Sequence, residues 1–200
     1  MPNLLILFLC KKVGFMSSKY KIGDSAIPHF ITSTVVGWVD ALSRPLYKDI
    51  ILESLVYCMD NKGLRLHAWV IMSNHLHQII STGKDDIELA GIVRDFKKFT
   101  SKKVVSAIQD NMQESRKEWM MNLFAYAGKH NSNNEKYQFW QQDYHPVELN
   151  TLDKMQQRLN YLHENPVRAG LVWEPWEYKY SSAIDYCTQR KGLVAIDRLF

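Results

Sequence analysis

Two strand-like runs separated by only two residues constrain the fold more than any other feature of the sequence. Leu64 to Met72 (LRLHAWVIM) and His75 to Ile80 (HLHQII) are both rich in residues that favour strands. Ser73 and Asn74 between them form a short, turn-like break. So short a connection favours a hairpin, and we therefore expect an antiparallel pair of strands here.

Further strands and helices are predicted on both sides of this hairpin. β-branched residues after Pro28 predict a first strand, and apolar residues at helical spacing predict three helices. The predicted elements are a strand at His29 to Val36, helices at Tyr47 to Asn61 and Ile87 to Ile108, a short strand within Tyr137 to Trp140 or Val147 to Leu149, and a helix at Leu152 to Glu164. We expect Gly63 to end the first helix and Pro166 to end the last, since the residue before a proline avoids the α region.

This order of elements predicts an α+β fold, a ferredoxin-like split βαβ with an antiparallel sheet and an added C-terminal helix that bears Tyr161. We expect residues 1–18 to be an N-terminal extension, 19–186 one domain, and 187–200 a C-terminal tail. Met16 opens a typical polar start, which suggests an over-extended start codon upstream. Residues 111–136 mix charge, aromatics and a polar run (KHNSNNEK), which predicts an exposed insertion.

Composition permits nucleic acid as a partner but does not require it. The 200 residues carry a net charge of +4, and 46% of them are hydrophobic, which is enough for one folded core. The three cysteines form no CxxC pair, so neither a disulfide framework nor a zinc ribbon is indicated and a cytoplasmic location is expected. The apolar run Leu4 to Leu9 is too short to span a bilayer, so we expect no membrane segment.

Two histidines on one predicted strand form a candidate metal site. Side chains alternate across a strand, so His75 and His77 project from one face while Leu76 faces the other. Two imidazoles on one face can share a metal ion. A bare His-x-His is weak evidence, however, and two ordinary polar-face residues would give the same pattern.

A tyrosine and an asparagine share one face of the last predicted helix. Tyr161 and Asn165 are four residues apart, so the phenol and the amide lie about one turn from each other. The same spacing would also suit a Tyr161 packed in the core and an Asn165 that caps the helix before Pro166. Spacing alone does not decide between these interpretations.

Both segments resemble those of one family. HAWVIMSNHLHQII (67–80) resembles the His-hydrophobic-His (HUH) segment of single-tyrosine transposases, and YLHENPVRAGLV (161–172) resembles their tyrosine-helix signature, in particular that of the REP-associated tyrosine transposases. The resemblance covers roughly Lys19 to Tyr186, and the two motifs together are more specific than either alone. It implies that Tyr161 is the nucleophile and that His75, His77 and Asn165 hold the metal ion.

The resemblance also implies a reaction. Such an enzyme nicks and rejoins single-stranded DNA by transesterification through a covalent 5′-phosphotyrosine intermediate, with Mg²⁺ or Mn²⁺ as the cofactor, during DNA transposition. Its expected partners are hairpin-forming single-stranded DNA and a second copy of the chain. Two alternatives stay open: a non-cutting protein that binds a DNA or RNA hairpin, and a zinc hydrolase that adds Glu164 or Asp143 to the two histidines.

A basic stripe on the second predicted helix is a candidate DNA contact. Arg94, Lys98 and Lys102 follow i, i+4, i+8 spacing and would lie on one helix face. Such a face could bind phosphates, or it could simply be solvated.

Overall fold

An antiparallel sheet of four strands forms the centre of the protein. The structure is a computed structural model and describes residues 22–83, 87–130, 136–142 and 145–200. The strands are β1 (His29–Thr34), β2 (Leu64–Ile71), β3 (His75–Thr82) and β4 (Val147–Glu148), in the spatial order β2-β3-β1-β4 with antiparallel neighbours. The predicted hairpin is therefore β2 and β3, and the α+β class with an antiparallel sheet is confirmed.

Five α-helices surround this sheet within the described part of the chain. They are α1 (Pro45–Lys62), α2 (Leu89–Asp110), α3 (Lys117–Lys129), α4 (Leu152–Arg168) and α5 (Ala183–Cys187). α1 begins with Pro45 in its first turn, where the missing N–H costs no hydrogen bond, and ends at Gly63 in the left-handed conformation (φ 72°). None of the helices described is long and apolar enough to cross a membrane.

The two faces of the sheet bury two separate cores. Leu76 packs in the larger core with side chains of α1, α2 and α3, such as Leu55, Phe96 and Phe124. Ile79 packs in the smaller core, which α4 covers with Leu159 and Leu162. Successive residues of β3 therefore face different helical layers, as strand alternation requires. The α4 side of the sheet is the side that carries the histidines.

The prediction that Pro166 ends the last helix is wrong. Pro166 lies inside α4, which continues to Arg168. Gly170 ends it instead, in the left-handed conformation (φ 68°), while the backbone N–H of Gly170 bonds to Val167 O and that of Leu171 bonds to Pro166 O. This pair of bonds is a Schellman motif, which satisfies the carbonyls of Pro166 and Val167 in the last turn of the helix.

The segment expected to be an exposed insertion contains α3, which packs on the larger core. Met120 and Phe124 are fully buried, and Arg44 donates to the buried carboxylate of Glu114, which ties the start of this segment to α1. Residues 131–135 lie outside the described ranges. Trp140 forms only an isolated bridge to Val35, so no strand develops at Tyr137 to Trp140.

The C-terminal residues pack along the outer edge of the sheet. Val194 is buried in the larger core, the backbone N–H of Asp197 bonds to Leu66 O, and the Asp197 carboxylate pairs with Arg65. Asp197 therefore bonds to the start of edge strand β2, while Tyr180 and Ser182 bond to its end at Ile71 and Trp69. Cys58 is a buried free thiol and Cys187 an exposed one. The expected extension at 1–18 lies outside the described residues.

Candidate active site

His75 and His77 lie side by side on β3, with their ring centroids 4.6 Å apart. The backbone register sets Thr34 of β1 opposite His75 and Thr32 opposite His77. The Thr32 hydroxyl is 2.7 Å from Nδ1 of His77. Strand alternation and one threonine therefore fix the pair on the face of the sheet that α4 covers.

His77 is the more buried of the two, with only 5% of its surface exposed. Its ring stacks on Phe30 at a centroid distance of 5.2 Å. Burial, together with the nearby His75 ring and Arg158 guanidinium, lowers its pKa to about 3. In the tautomer whose Nδ1 donates to the Thr32 hydroxyl, the neutral ring keeps the lone pair of Nε2 for a cation.

His75 is held by two asparagines. Its Nδ1 is 2.6 Å from Oδ1 of Asn74, so Nδ1 donates and Nε2 keeps its lone pair. Burial lowers the pKa of His75, and a hydrogen-bonding contact with the Asn165 side chain opposes that shift. Both histidines are therefore neutral at pH 7, which is the state that binds metal ions.

Tyr161 and Asn165 project from α4 towards the histidines. The Tyr161 ring centroid lies 5.4 Å from that of His77 and 5.9 Å from that of Phe30. Nδ2 of Asn165 donates to the Tyr161 carbonyl at 2.7 Å, and the Asn165 side chain is also hydrogen-bonded with His75. The structure thus brings the four residues singled out from the sequence into one cluster.

This donor set fits a divalent metal ion. The two neutral imidazoles lie together with the Asn165 amide against His75, and none of the three brings a charge that would reduce that of a bound cation. Among the described residues no group of three His, Cys, Asp or Glu is arranged to hold a metal. Glu164 lies near Cys187, whose pKa is raised by burial and then by this carboxylate; Asp143 lies outside the described residues.

Two arginines of the site were not singled out from the sequence. The Arg158 guanidinium lies 5.3 Å from the Phe30 ring centroid, and that of Arg168 lies 5.4 Å from the Tyr161 ring centroid. Arg158 precedes Tyr161 by three residues and Arg168 follows it by seven, which puts both arginines on the helix face of Tyr161. That spacing was the signal available in the sequence.

The basic stripe does not join this cluster. Arg94, Lys98 and Lys102 are exposed on α2, which packs in the larger core on the opposite face of the sheet. Arg94 pairs with Asp95. Any DNA bound along this stripe would therefore be a different segment from the strand at Tyr161.

Two other histidines have structural partners. His67 is bonded through its two ring nitrogens to Asp197 O and the Ser81 hydroxyl. Nε2 of His163 lies 2.9 Å from the Ser182 hydroxyl, and burial lowers the pKa of His163 to about 4. Both rings are buried, and their hydrogen bonds link α4 and β2 to the C-terminal segment.

Comparison with known proteins supports the fold. No protein-family model and no curated protein matches the sequence. The structure of the REP-associated tyrosine transposase bound to a REP hairpin matches with a TM-score of 0.60 at 15% identity, over 84% of this chain and 82% of that chain. A candidate transposase from Deinococcus radiodurans R1 matches with a TM-score of 0.43 at 14% identity, over 77% of this chain and 95% of that chain. A similarity this low lends no support to the fold. The resemblance noted in the two motifs is therefore confirmed at the level of the fold: this chain has the fold of the REP-associated tyrosine transposase.

Proposed function

We propose that this protein nicks and rejoins single-stranded DNA by transesterification, with Tyr161 as the nucleophile, as a DNA transposase does. The observation that carries the proposal is the approach of the Tyr161 ring to within 5.4 Å of His77, with Asn165 against His75 one helical turn away. A purely structural tyrosine would need neither the two neutral imidazoles nor the amide oxygen beside it. The strand order and the helix between β1 and β2 support a ferredoxin-like core for this site.

In the proposed reaction Oη of Tyr161 bonds to the scissile phosphorus. The bond from phosphorus to the 3′ oxygen breaks, the phenol gives up its proton, and the released 3′ oxygen takes one up. The product is a 5′-phosphotyrosine and a free 3′ hydroxyl, and the same step in reverse rejoins the strand without an external energy source. Mg²⁺ or Mn²⁺ held by His75, His77 and Asn165 would supply positive charge to the phosphate oxygens.

The arginines on either side of the nucleophile have a role in this scheme. Arg158 and Arg168 extend the positive charge along α4 by about one and two turns from Tyr161. Guanidinium groups bind phosphate oxygens through paired N–H donors. In this proposal Arg158 and Arg168 bind the phosphates next to the scissile one. These contacts hold the strand so that the scissile phosphate is in line with the Tyr161 phenol.

The partner proposed is a DNA hairpin with a single-stranded flank. The transposase whose fold this chain shares was solved bound to a REP hairpin, and a paired stem would suit the exposed Arg94, Lys98 and Lys102 while its flank reaches Tyr161. A homodimer and a cytoplasmic location are part of the same proposal.

A covalent-complex assay tests the proposal. Purified protein is mixed with labelled single strands that carry hairpins from the DNA flanking its own gene, with Mn²⁺ or Mg²⁺, and run on a denaturing gel. We expect a shifted band that disappears with EDTA, with His75→Ala and with Tyr161→Phe. Tyr57→Phe is the matched control, because Tyr57 is an exposed tyrosine on α1, which packs in the other core. Tight binding with no covalent band would instead favour a non-cutting hairpin-binding protein.

A further inference from the structure

A solvent-exposed tryptophan borders the metal-binding cluster. Trp38 has 63% of its surface exposed, yet its ring centroid lies only 6.4 Å from that of His75, in an edge-to-face arrangement. A large aromatic side chain gains most by burial. One that stays in solvent next to a candidate active site is a candidate contact for a ligand.

The backbone that presents Trp38 is strained. Gly37 (φ 63°) and Trp38 (φ 57°) are consecutive residues in the left-handed region, and Trp38 is the only non-glycine residue with positive φ among the described residues. A bulky side chain rarely adopts this conformation, so surrounding contacts must impose it. The tryptophan is therefore held in place by the structure and does not extend freely from a loop.

The contacts that impose this conformation come from the site itself and from α3. Nδ2 of Asn74 donates to Trp38 O at 3.3 Å, while Oδ1 of the same side chain accepts from His75. Leu123 of α3 fills the space beside Gly37, where its Cδ1 would lie 3.3 Å from an added Cβ. One asparagine thus fixes the position of Trp38 relative to the proposed metal ligand.

We propose that Trp38 stacks on an unpaired base of the DNA strand being cut and so sets which phosphate lies against Tyr161. This inference rests on the proposed function and deepens it. A stacked strand rises by about 3.4 Å per nucleotide, so a base on Trp38 lies within about two nucleotides of a phosphate held near His75. Every base has a π face, so the contact fixes the register of the strand with little choice of sequence.

An abasic-site scan tests the inference with the full chain. The probe is the strand that wild-type protein cuts, with each nucleotide near the cut replaced in turn by an abasic analogue. We expect one position at which the abasic change weakens binding of the wild-type protein by about 10-fold. Trp38→Ala should weaken binding of the intact strand by a similar factor. The affinity of this variant should not fall further when the nucleotide at that position is abasic. Trp38→Phe should restore the sensitivity, and Trp38→Leu should not.

Controls separate the inference from the proposed function. Trp173→Ala removes another exposed tryptophan (90% exposed) and should leave the abasic profile unchanged. A wild-type adduct together with an identical abasic profile for wild type and Trp38→Ala would overturn the stacking role alone. If the wild type is a dimer, Trp38→Ala is a monomer and the abasic profile is again the same for both, Trp38 contacts a second copy of the chain and not a base. Absence of any adduct with wild-type protein would overturn the proposed function and with it the placing of Trp38 beside a cut.

Discussion

Asn74 joins His75 to Trp38, which lies 36 residues before Asn74 in the sequence. Its side chain accepts from Nδ1 of His75 and donates to the Trp38 carbonyl. The first bond selects the tautomer of His75 that leaves Nε2 for a metal ion. Groups that orient a metal ligand in this way contribute to affinity although they never touch the metal.

Asn74→Ala should weaken Mn²⁺ binding by about 10-fold, since loss of such an orienting partner typically costs about 10–100-fold. Isothermal titration calorimetry with Mn²⁺ measures the change. Asn61→Ala is the matched control, because the Asn61 side chain bonds within α1, through Nδ2 to Tyr57 O. An unchanged Mn²⁺ affinity in Asn74→Ala would show that His75 does not depend on Asn74 for its orientation.

Arg168→Ala should slow formation of the covalent complex by about 10-fold while the protein stays folded, because removal of a positive group beside the reacting phosphate reduces stabilisation of its charge. The guanidinium is exposed and 5.4 Å from the Tyr161 ring centroid. Single-turnover rates on the denaturing gel measure the effect. Arg190→Ala, which removes an exposed arginine from the C-terminal segment, should leave the rate unchanged, and equal rates for both variants would contradict the role of Arg168.

Residues of the site that follow an element's own periodicity could be predicted from the sequence. Strand alternation pairs His75 with His77, and helical spacing pairs Tyr161 with Asn165. Trp38 could not be predicted, because its position depends on a contact with Asn74 across 36 residues. Arg158 and Arg168 lie between these cases, since their spacing from Tyr161 is helical but many surface arginines share it.

At the scale of elements, the helix that bears Tyr161 shows where local rules succeed and fail. The start of α4 follows them, since Thr151 caps it by accepting from the backbone N–H of Lys154. Its end does not. Pro166 predicts that the helix ends before it, but the helix ends at the Schellman motif around Gly170. The extra turn carries Arg168, so the error in the helix end hid a residue of the site.

Gly170→Ala should lower the free energy of unfolding by about 1 kcal/mol, because an alanine at φ 68° is strained even with open space around its Cβ. Gly91→Ala is the matched control: it lies inside α2, also meets nothing within 4 Å, and has no positive φ. That change should raise stability, by up to about 1 kcal/mol. Urea unfolding curves of the two variants measure both effects, and equal shifts of the same sign would refute this account of the end of α4.

Segment 111–136 shows what composition alone cannot reveal. Its charged and polar residues predict exposure, yet Glu114 is buried. Burial by itself would raise the pKa of Glu114, but hydrogen bonds from Arg44 and Arg116 lower it. Arg116 belongs to the segment, but Arg44 lies 70 residues before Glu114, so this burial depends in part on a tertiary contact that the sequence of the segment does not contain. α3 in turn supports Gly37 through Leu123.

At the scale of the whole molecule, buried neutral histidines make stability depend on pH. Burial lowers the pKa of His67 and lowers that of His163 to about 4. The unfolded chain takes up protons on these groups below about pH 6.5, and the folded chain does not until the pH is lower. The free energy of unfolding is therefore highest, as far as these histidines are concerned, above about pH 6.5, and it decreases as the pH falls below that value.

Metal-free protein should consequently be less stable at pH 5 than at pH 7.5, with about 2 kcal/mol of the loss attributable to His163. Denaturant unfolding in EDTA at the two pH values measures this. His163→Gln should reduce the loss by about that amount, and the exposed His130→Gln should not. If the stability of His163→Gln depends on pH as strongly as that of the wild type, His163 is not a source of the pH dependence.

The identity of the covalently bonded residue tests the central claim most directly. Trypsin cleaves after Arg158 and Arg168 and so releases residues 159–168 (LNYLHENPVR), in which Tyr161 is the only tyrosine. After the cut strand is digested by nuclease, mass spectrometry should find this peptide with one added nucleotide 5′-phosphate attached to Tyr161, and only when Mg²⁺ or Mn²⁺ was present. A nucleotide attached to any other peptide, or cut DNA with no nucleotide attached to the protein, would contradict the assignment of Tyr161 as the nucleophile.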